Sequence, residues 1–356
     1  MKITLKQIAQ EAGVSQATVS RLVNQNAGVS LELEEKVLLA AKRLGVNLPM
    51  KKVEPKDRVE KGKVIGLLVT DLGNPYFQTL LRSAVSESRM LNLGVQVFET
   101  LEDYRAEQEN FFSVEKFSLD GLIIFASRLP ESQLLDFHQR NRLPMVVVNR
   151  YIADPSICCI VVDFERAMFH ATMHLINLGH RRIAYLCGPA NSAPSLSRKI
   201  GIVNALEKSG LKLDNDLYLG CIPTIEGGFQ AMISLLALPE EKRPSAIIAY
   251  NDQIAIGALK AARLKGFNVP QDISIIGVDN IDFTEHSSPP LTTISVPKAQ
   301  IGSMAMRLMY QILSGNYTPV EGYIELDAPL ILRDSTGPAK ADVKSVPIEL
   351  SERHIL

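Results

Sequence analysis

The chain of 356 residues has no tryptophan, only four cysteines and no apolar run as long as a membrane span. Its first residues also lack the apolar stretch and small-residue cleavage site that mark an export signal. We therefore expect a cytoplasmic protein that does not enter a membrane. The four cysteines lie in or beside apolar runs without paired spacing, which predicts reduced thiols in a core. They are Cys158, Cys159, Cys187 and Cys221.

Motifs that carry catalysis are missing as well. The sequence contains no Gly-x4-Gly-Lys-Ser/Thr phosphate loop, no Gly-x-Ser-x-Gly elbow and no clustered Cys/His site. His170 and His174 have the spacing of two metal ligands on a helix, but no glutamate follows His170 as a zinc protease requires. A surface or interface pair explains these histidines better. We expect no enzyme activity, no metal and no cofactor.

Charge is unevenly distributed along the chain, although its net value is only −1. Residues 1–63 hold twelve Lys/Arg and seven Asp/Glu, so the remainder carries a net negative charge. A basic head on an acidic body indicates a polyanionic partner for the head, with a solvated charged surface as the alternative. The length and an apolar content of 46% are enough for two or three domains.

Three short helices are predicted within residues 1–45 from capping residues and stop signals. In chain order these signals are Thr4 with Gln7, Gly13, Ser15, Ser30 and Gly45. Two helices joined by a glycine-containing turn, with a third closing the core, are typical of an all-α helix-turn-helix domain, whose second helix enters the major groove. A generic helical bundle is the alternative.

The amino-acid sequence of this segment is more specific evidence of function than its predicted helices. Leu5–Asn24 (LKQIAQEAGVSQATVSRLVN), followed by Gly28-Val-Ser30, closely resembles the DNA-binding head of the lactose/galactose repressor family. The residues that the resemblance implies in DNA binding are Thr4, Ser15, Gln16, Ala17, Thr18, Arg21 and Asn24. Gln16, Ala17 and Arg21 would read base edges, where the fork of Arg21 suits guanine O6 and N7, and the others would hold phosphates. The implied partner is double-stranded operator DNA.

Residues 46–63 predict an exposed connector, because they contain two prolines, six basic and three acidic residues and little apolar periodicity. Family members often carry here a hinge helix of the form Pro-Asn-x-x-Ala-Arg-x-Leu, whose leucine wedges into the minor groove. Only Pro49 matches, so we predict an atypical, flexible hinge. The alternative is that Leu48, Met50 or Val53 forms a different wedge on DNA.

Residues 64–335 alternate short apolar runs with amphipathic stretches. The runs begin at Val64, Val95, Leu122, Met145, Ile160, Ile183, Ala246 and Ile273, and the amphipathic stretches cover 76–92, 166–178, 198–209 and 254–264. The alternation predicts buried parallel strands with helices on both faces. So many units exceed one sheet of ordinary width, which favours two doubly wound α/β lobes. Ligands bind such sheets at the carboxyl ends of the strands.

The body resembles the same family over nearly its whole length. The matching segments are Asn74-Pro-Tyr-Phe77, Asp120-Gly-Leu-Ile123, Gly179-His-Arg-Arg-Ile183, Gly188-Pro189, Arg198-x-x-Gly201, Tyr250-Asn-Asp252, Gly277-Val-Asp279, Pro289–Ile294 and Leu330–Thr336. The resemblance implies a periplasmic-binding-protein-like fold, with lobes at about 62–163 plus 293–322 and 164–292 plus 323–335. It also implies a small-molecule effector between the lobes. Relief of repression by the effector is the commoner family pattern and is the one we expect, and recruitment to DNA by the effector is the alternative.

The ligand-binding residues that the resemblance implies are Tyr76, Phe77, Asn149, Asp163, Arg198, Asn251 and Asp279. Arg198 and Asp279 match the family's central polar contacts, and a charge in an otherwise apolar crevice needs a partner or a ligand. For Tyr76 and Phe77 the alternative is a place in the core. For Asp163 the alternative is a helix cap.

The sequence leaves two classes of effector, a nucleoside and a sugar. Residues 120–130 and 269–282 look most like the cytidine-repressor branch of the family. Ser192 and Pro194 stand where the purine-binding branch has Arg and Thr, which argues against a purine base. No tryptophan is present to stack on a pyranose ring.

Assembly follows from the size of the head. One recognition helix reads only a few base pairs, so we expect a homodimer formed through the body.

Residues 336–356 contain two prolines and no sustained heptad, which predicts a disordered tail rather than a coiled coil. A transport-type solute-binding protein is the rival for the body, but it needs an export signal and would lack the head.

Overall fold

A computed structural model describes residues 5–16, 18–19, 31–44, 62–101, 104–189, 192–317 and 322–340. The chain divides into two compact units, Met1–Lys61 and Gly62–Leu356. Most of the predicted connector, residues 46–61, lies outside the described part. None of the helices in the described ranges is long and apolar enough to cross a membrane.

The first unit contains α1 (Leu5–Ala12) and α2 (Leu31–Arg43). Between them, Gln16, Thr18 and Val19 also have helical backbone. Gly13 has a φ of 65°, which confirms the left-handed turn predicted at the end of the first helix. Apolar residues of these segments form a small buried core of Ile8, Ala9, Val19, Val37 and Ala41.

The second unit contains two six-stranded sheets, one in each lobe. The first is built from β1 (Val64–Val69), β2 (Gly94–Glu99), β3 (Gly121–Ile124), β4 (Met145–Val148), β5 (Cys158–Val162) and β11 (Ile324–Leu326). The second is built from β6 (Ile183–Cys187), β7 (Tyr218–Gly220), β8 (Ala246–Ala249), β9 (Ser274–Val278), β10 (Thr292–Ile294) and β12 (Leu330–Ile331). Their strand orders, β11-β5-β4-β3-β1-β2 and β12-β10-β9-β8-β6-β7, are equivalent.

All strand pairs are parallel except β10 with β12. Every residue of β3, β4, β6, β8 and β9 is buried, as expected for parallel strands covered on both faces. The two doubly wound α/β lobes predicted from the apolar runs are confirmed. The four cysteines are free, and three of them are buried.

Helices connect the strands and cover the sheets. They are α3 (Pro75–Met90), α4 (Tyr104–Val114), α5 (Glu131–Asn141), α6 (Phe164–Asn177), α7 (Ala193–Lys208), α8 (Ile225–Leu236), α9 (Asp252–Leu264) and α10 (Lys298–Leu313). Short 3-10 turns cover Asn215–Leu217, Glu240–Lys242 and Asp282–Thr284. Extensive helix pairs form between α8 and α9, between α3 and α10, and between α6 and α7. Several helices begin at polar caps, such as Asn74 for α3 and Asn251 for α9.

Three segments cross between the lobes, and hydrogen bonds join them. Asp163 N donates to Leu326 O at 3.0 Å, and Ser295 N donates to Pro329 O at 2.7 Å. The crossings differ from the boundaries predicted at residues 293 and 323. β10 belongs to the second lobe, so the second crossing follows Ile294, and β11 pairs with β5 in the first lobe. These strands have only three residues each, too few to give an apolar run in the sequence.

The body continues past its predicted end at residue 335. Ala339 N donates to Leu178 O at 2.8 Å, and Gly337 N donates to Ser274 Oγ at 3.1 Å. The buried ring of His180 also contacts Ser274 Oγ and Gly337 O, both at 3.0 Å. The chain is therefore bonded to the second lobe through Lys340, and the predicted tail starts too early. Residues 341–356 lie outside the described part.

Candidate effector crevice and DNA-binding head

A crevice between the lobes is lined by residues that follow strands of both sheets. Six of the seven predicted ligand-binding residues line it: Tyr76, Phe77, Asn149, Arg198, Asn251 and Asp279. Its volume is about 60 Å³, well below the roughly 300 Å³ or more of a typical small-molecule site. This volume holds only a few waters, so a larger ligand requires the lining side chains or the lobes to move.

Arg198 is the central cation of the crevice. It lies in the second turn of α7 rather than in the preceding loop, and it is only 4% exposed. Its guanidinium carbon is 4.1 Å from the ring centroids of both Phe164 and Tyr250, so two aromatic faces enclose it. Its Nε has no hydrogen-bond partner among the described residues. Buried donors are normally satisfied, so this group is available to a ligand.

Asp279 faces Arg198 from the end of β9. Its Oδ1 is 3.9 Å from Arg198 Nη2, and its backbone has a φ of 113°. Burial raises the pKa of Asp279 to about 6, against the opposing effect of the positive charges on Arg198 and Lys298. A carboxylate and a guanidinium at this separation can each bond the same ligand hydroxyl.

Asp252, the first residue of α9, supports the Asp279 loop from behind. Its carboxylate is completely buried and accepts hydrogen bonds from Thr293 Oγ1 at 2.6 Å and Ile281 N at 2.9 Å. Burial raises the pKa of Asp252 well above its usual range, and the negative charge of Asp279 raises it further. Asp252 thus fixes the loop and is not itself directed at a ligand.

The first lobe contributes Tyr76 and Asn149. Asn149 Nδ2 donates to Tyr76 Oη at 3.0 Å, and Asn149 Oδ1 is buried without a hydrogen-bond partner among the described residues. The rings of Tyr76 and Phe77 meet edge to face, 5.0 Å apart. Both rings also pack in the main apolar cluster. They therefore occupy the core and the crevice wall together, so the two interpretations of these residues do not conflict.

A buried glutamate holds the first-lobe loop that faces the crevice. Glu107 Oε2 accepts from Arg128 N at 2.6 Å, and Arg150 Nη1 donates to Leu129 O at 2.6 Å. Burial raises the pKa of Glu107. Glu107 was not predicted, because its carboxylate lies on an otherwise ordinary helix and no local motif marks it.

Asp163 and Asn251 both cap helices. Asp163 accepts from Arg166 N at 2.9 Å and does not line the crevice, as the helix-cap alternative predicts. Asn251 accepts from Ile254 N at 2.9 Å and still lines the crevice. Ser192 is also used internally, because its hydroxyl accepts from Ser195 N at 3.2 Å and donates to Ser195 Oγ at 2.8 Å.

In the head, Ser15 caps the second helix. Its Oγ accepts from Thr18 N at 3.1 Å, and Ser15 and Gln16 are both exposed. Thr18 is partly buried, with its hydroxyl 2.8 Å from Ser15 Oγ. The other residues predicted in DNA binding lie outside the described part: Thr4, Ala17, Arg21 and Asn24.

The histidine pair considered as a metal site is accounted for by other contacts. His174 Nε2 lies 3.1 Å from Thr336 Oγ1, and His170 meets the edge of the Phe169 ring. Across the described ranges, no group of three or more His, Cys, Asp or Glu residues is arranged to hold a metal ion.

Two family models match the chain. Residues 4–46 match the bacterial regulatory proteins of the lacI family, and residues 172–336 match a periplasmic binding protein-like domain. The transcriptional repressor CytR of Escherichia coli K12 is 34% identical over 94% of this chain and 96% of its own length. The repressor PurR of Haemophilus influenzae PittEE is 31% identical over 93% of this chain and 98% of its own length.

Solved structures of two proteins have a fold similar to that of this chain. A lac repressor dimer bound to operator and the anti-inducer ONPF has 25% identity and a TM-score of 0.69, covering 95% of this chain and all of that one. A lacI-family regulator from Enterococcus faecium with bound ribose has 28% identity and a TM-score of 0.69, covering 78% of this chain and all of that one.

A helix-turn-helix head joined to a two-lobed periplasmic-binding-protein-like body defines a DNA-binding transcriptional regulator. With relatives this similar over almost the whole length, the chain belongs to the lacI family of bacterial regulatory proteins.

Proposed function

We propose that the protein is a cytoplasmic, homodimeric repressor whose operator affinity falls when a hydroxyl-bearing metabolite, a nucleoside or a sugar, binds between its lobes. The observation that carries this proposal is the state of Arg198. Its guanidinium is held between two aromatic rings opposite a carboxylate, and its Nε has no partner among the described residues.

The chemistry of the crevice suits hydroxyl groups. A hydroxyl both accepts and donates, so a single one can accept from Arg198 and donate to Asp279. A second hydroxyl or an amino group can donate to Asn149 Oδ1, which is buried and unpaired within the described ranges. The Enterococcus faecium relative solved with bound ribose supports this class of ligand.

A purine base is disfavoured. The Ser192 hydroxyl is occupied by Ser195, and Pro194, which lines the crevice, has no side-chain donor. A ligand that binds here is therefore expected to depend on its hydroxyl-bearing ring more than on the edge of a base. This expectation covers both a pyrimidine nucleoside and a free sugar.

Regulation follows from contacts made with both lobes. Asn149 and Tyr76 belong to the first lobe, and Arg198 and Asp279 belong to the second, so a ligand that bonds both sets favours one spacing of the lobes. In a dimer, that spacing changes how two heads are presented to two half-sites. Coupling between such sites is typically about 1–3 kcal/mol, which corresponds to about a 5- to 150-fold change in operator affinity.

The effector is tested by thermal unfolding of the purified protein with cytidine, uridine, adenosine, D-ribose and cellobiose, each over a concentration series. We expect a saturable rise in the melting midpoint for a pyrimidine nucleoside or a sugar and none for adenosine. Saturation with adenosine alone would contradict the proposed ligand class.

DNA recognition is tested separately. An operator is selected from random duplexes, and its affinity is compared with that of unrelated DNA for the wild type, Arg21→Ala and Thr18→Ala. Arg21→Ala should lose about 1–3 kcal/mol on the operator and little on unrelated DNA, while Thr18→Ala weakens both equally. Equal losses for Arg21→Ala on both duplexes would remove its base-reading role.

A further inference from the structure

Lys298 connects the two lobes at the base of the crevice. It is the first residue of α10, a helix that packs on α3 in the first lobe. Its ammonium nevertheless donates to two carbonyl oxygens of the second lobe, Asn280 O at 2.9 Å and Asp279 O. The residue is only 8% exposed, so these bonds are protected from water.

The main chain that Lys298 holds has an unusual conformation. Asp279 and Asn280 are consecutive residues with φ angles of 113° and 53°. Residues other than glycine are disfavoured in this region, and they persist there when surrounding contacts impose it. Here Lys298 bonds both carbonyl oxygens, while Asp252 bonds the next N–H, that of Ile281.

This conformation determines where the Asp279 side chain lies. The carboxylate leaves the main chain beside the carbonyls that the ammonium holds, and it faces Arg198 across 3.9 Å. A change in φ at residue 279 would turn the carboxylate away from the guanidinium. Lys298 itself is not among the residues that line the crevice, and it hydrogen-bonds Asp279, which is.

We propose that Lys298 is a positioning residue of the effector site: it holds the main chain of Asp279 and Asn280 so that the Asp279 carboxylate faces Arg198. The role of Asp279 in binding effector rests on the proposed function, but the positioning itself can be measured without a ligand.

Titratable and charged groups on several neighbouring elements surround Lys298 and Asp279. Arg198 on α7, Asp252 on α9, Tyr76 on α3, Tyr250 after β8 and Asp282 in the following turn all act on Asp279, Lys298 or their neighbours. Burial lowers the pKa of Lys298, and the carboxylates of Asp279, Asp252 and Asp282 oppose that effect. Burial raises the pKa of Asp279, and the Lys298 ammonium opposes it.

The experiment measures the thermal midpoint of the full chain at pH 5 and pH 8 for the wild type, Lys298→Met, Asp279→Asn and the double variant. At pH 5 Asp279 is mostly protonated, and loss of the ammonium removes only its hydrogen bonds. At pH 8 Asp279 is ionised, and loss of the ammonium also leaves the carboxylate poorly compensated. The Lys298→Met loss should therefore be larger at pH 8, by about 1–2 °C for a chain of this size.

Asp279→Asn should abolish that pH dependence. The matched control is Gln300→Met on the same helix, an exposed and uncharged residue whose replacement should cause only a small loss, equal at both pH values. A Lys298→Met loss independent of pH, or one whose pH dependence survives Asp279→Asn, would overturn the proposal. If Lys298→Met does not fold, Lys298→Gln and Lys298→Arg replace it, and Lys298→Arg should restore the wild-type pH profile.

Effector binding is then measured with cytidine and D-ribose. At pH 8, Lys298→Met should bind a probe of the wild type about tenfold more weakly, and Gln300→Met should bind it as the wild type does. If no nucleoside or sugar of the thermal-unfolding screen binds the wild type, the ligand class of the proposed function fails, while the pH comparison still decides the role of Lys298.

Discussion

Arg198 Nη2 and Asp279 Oδ1 are 3.9 Å apart, too far for a hydrogen bond and close enough for attraction. The two groups belong to different elements of the second lobe, α7 and the loop after β9. A ligand hydroxyl placed between them would complete the hydrogen bonds that neither makes with the other.

Arg198→Gln should lose effector binding. The change keeps a polar amide but removes the positive charge, and a hydrogen bond to a charged group contributes about 1.5–3 kcal/mol. We expect roughly 10- to 150-fold weaker binding of the nucleoside or sugar found in the screen, measured by calorimetry. Arg263→Gln, an exposed arginine on α9, is the control and should bind as the wild type does. Unchanged affinity for Arg198→Gln would exclude its role.

Effector affinity should increase between pH 5 and pH 7. The pKa of Asp279 is raised to about 6 by burial, so the carboxylate is mostly neutral at pH 5 and mostly ionised at pH 7. If the ligand bonds the ionised form, binding should be about tenfold weaker at pH 5. The stability contribution has the opposite sign: a raised carboxyl pKa stabilises the fold at low pH, and this is lost as the pH rises through 6. Asp279→Asn should flatten the binding profile, whereas a steep profile in that variant would point to another group.

Asn149→Gly should weaken effector binding without straining the main chain. Asn149 has a φ of 60°, and glycine adopts that conformation without strain, so the variant removes only the side chain and its hydrogen bond to Tyr76. We expect about a 5- to 10-fold loss of affinity, which corresponds to one hydrogen bond. Asn92→Gly is the matched control, because Asn92 has a φ of 53° and is exposed at the end of α3. Equal affinities for the two variants would count against Asn149.

Gly201→Ala should destabilise the second lobe. A Cβ at Gly201 would collide with the carbonyl oxygen of Glu165, because α6 and α7 approach closely there. Overpacking of this kind costs about 1–3 kcal/mol. The melting midpoint should fall, whereas Glu207→Ala, exposed on the same helix, should leave it unchanged. Since Gly201 lies one turn after Arg198, effector binding should weaken in parallel. A midpoint equal to that of the wild type would show that the helices have room to separate.

The sequence predicted the architecture well where a pattern of residues has a single structural explanation. Buried parallel strands need continuous apolar runs, so β1, β6 and β9 were found close to their observed bounds. Asp163 shows the limit of such reasoning, because a carboxylate after a strand serves equally as a helix cap or a ligand contact. Only the distance to the crevice separates the two roles.

Phe164 and Lys298 were missed for a different reason: their roles depend on contacts between segments far apart in the chain. In the sequence, Phe164 is an ordinary apolar residue at the start of a helix. The contact of its ring face with Arg198 is visible only in the tertiary structure. For Lys298 a weak signal existed. A cation in the first turn of a helix interacts unfavourably with the helix dipole. A lysine at that position therefore indicates a role other than stabilising the helix.

The division of the first lobe between two distant parts of the chain has a consequence for its synthesis. Its sheet is complete only when β11 pairs with β5, and α3 is covered only when α10 packs on it. A ribosome making about 5–20 residues per second needs roughly 7–27 s to proceed from Asp163 to Lys298. During that time the apolar face of α3 that α10 will cover remains uncovered in the growing chain. A fragment that stops before Lys298 therefore lacks both α10 and β11, so it cannot form a complete first lobe even though it contains the first five strands of that sheet.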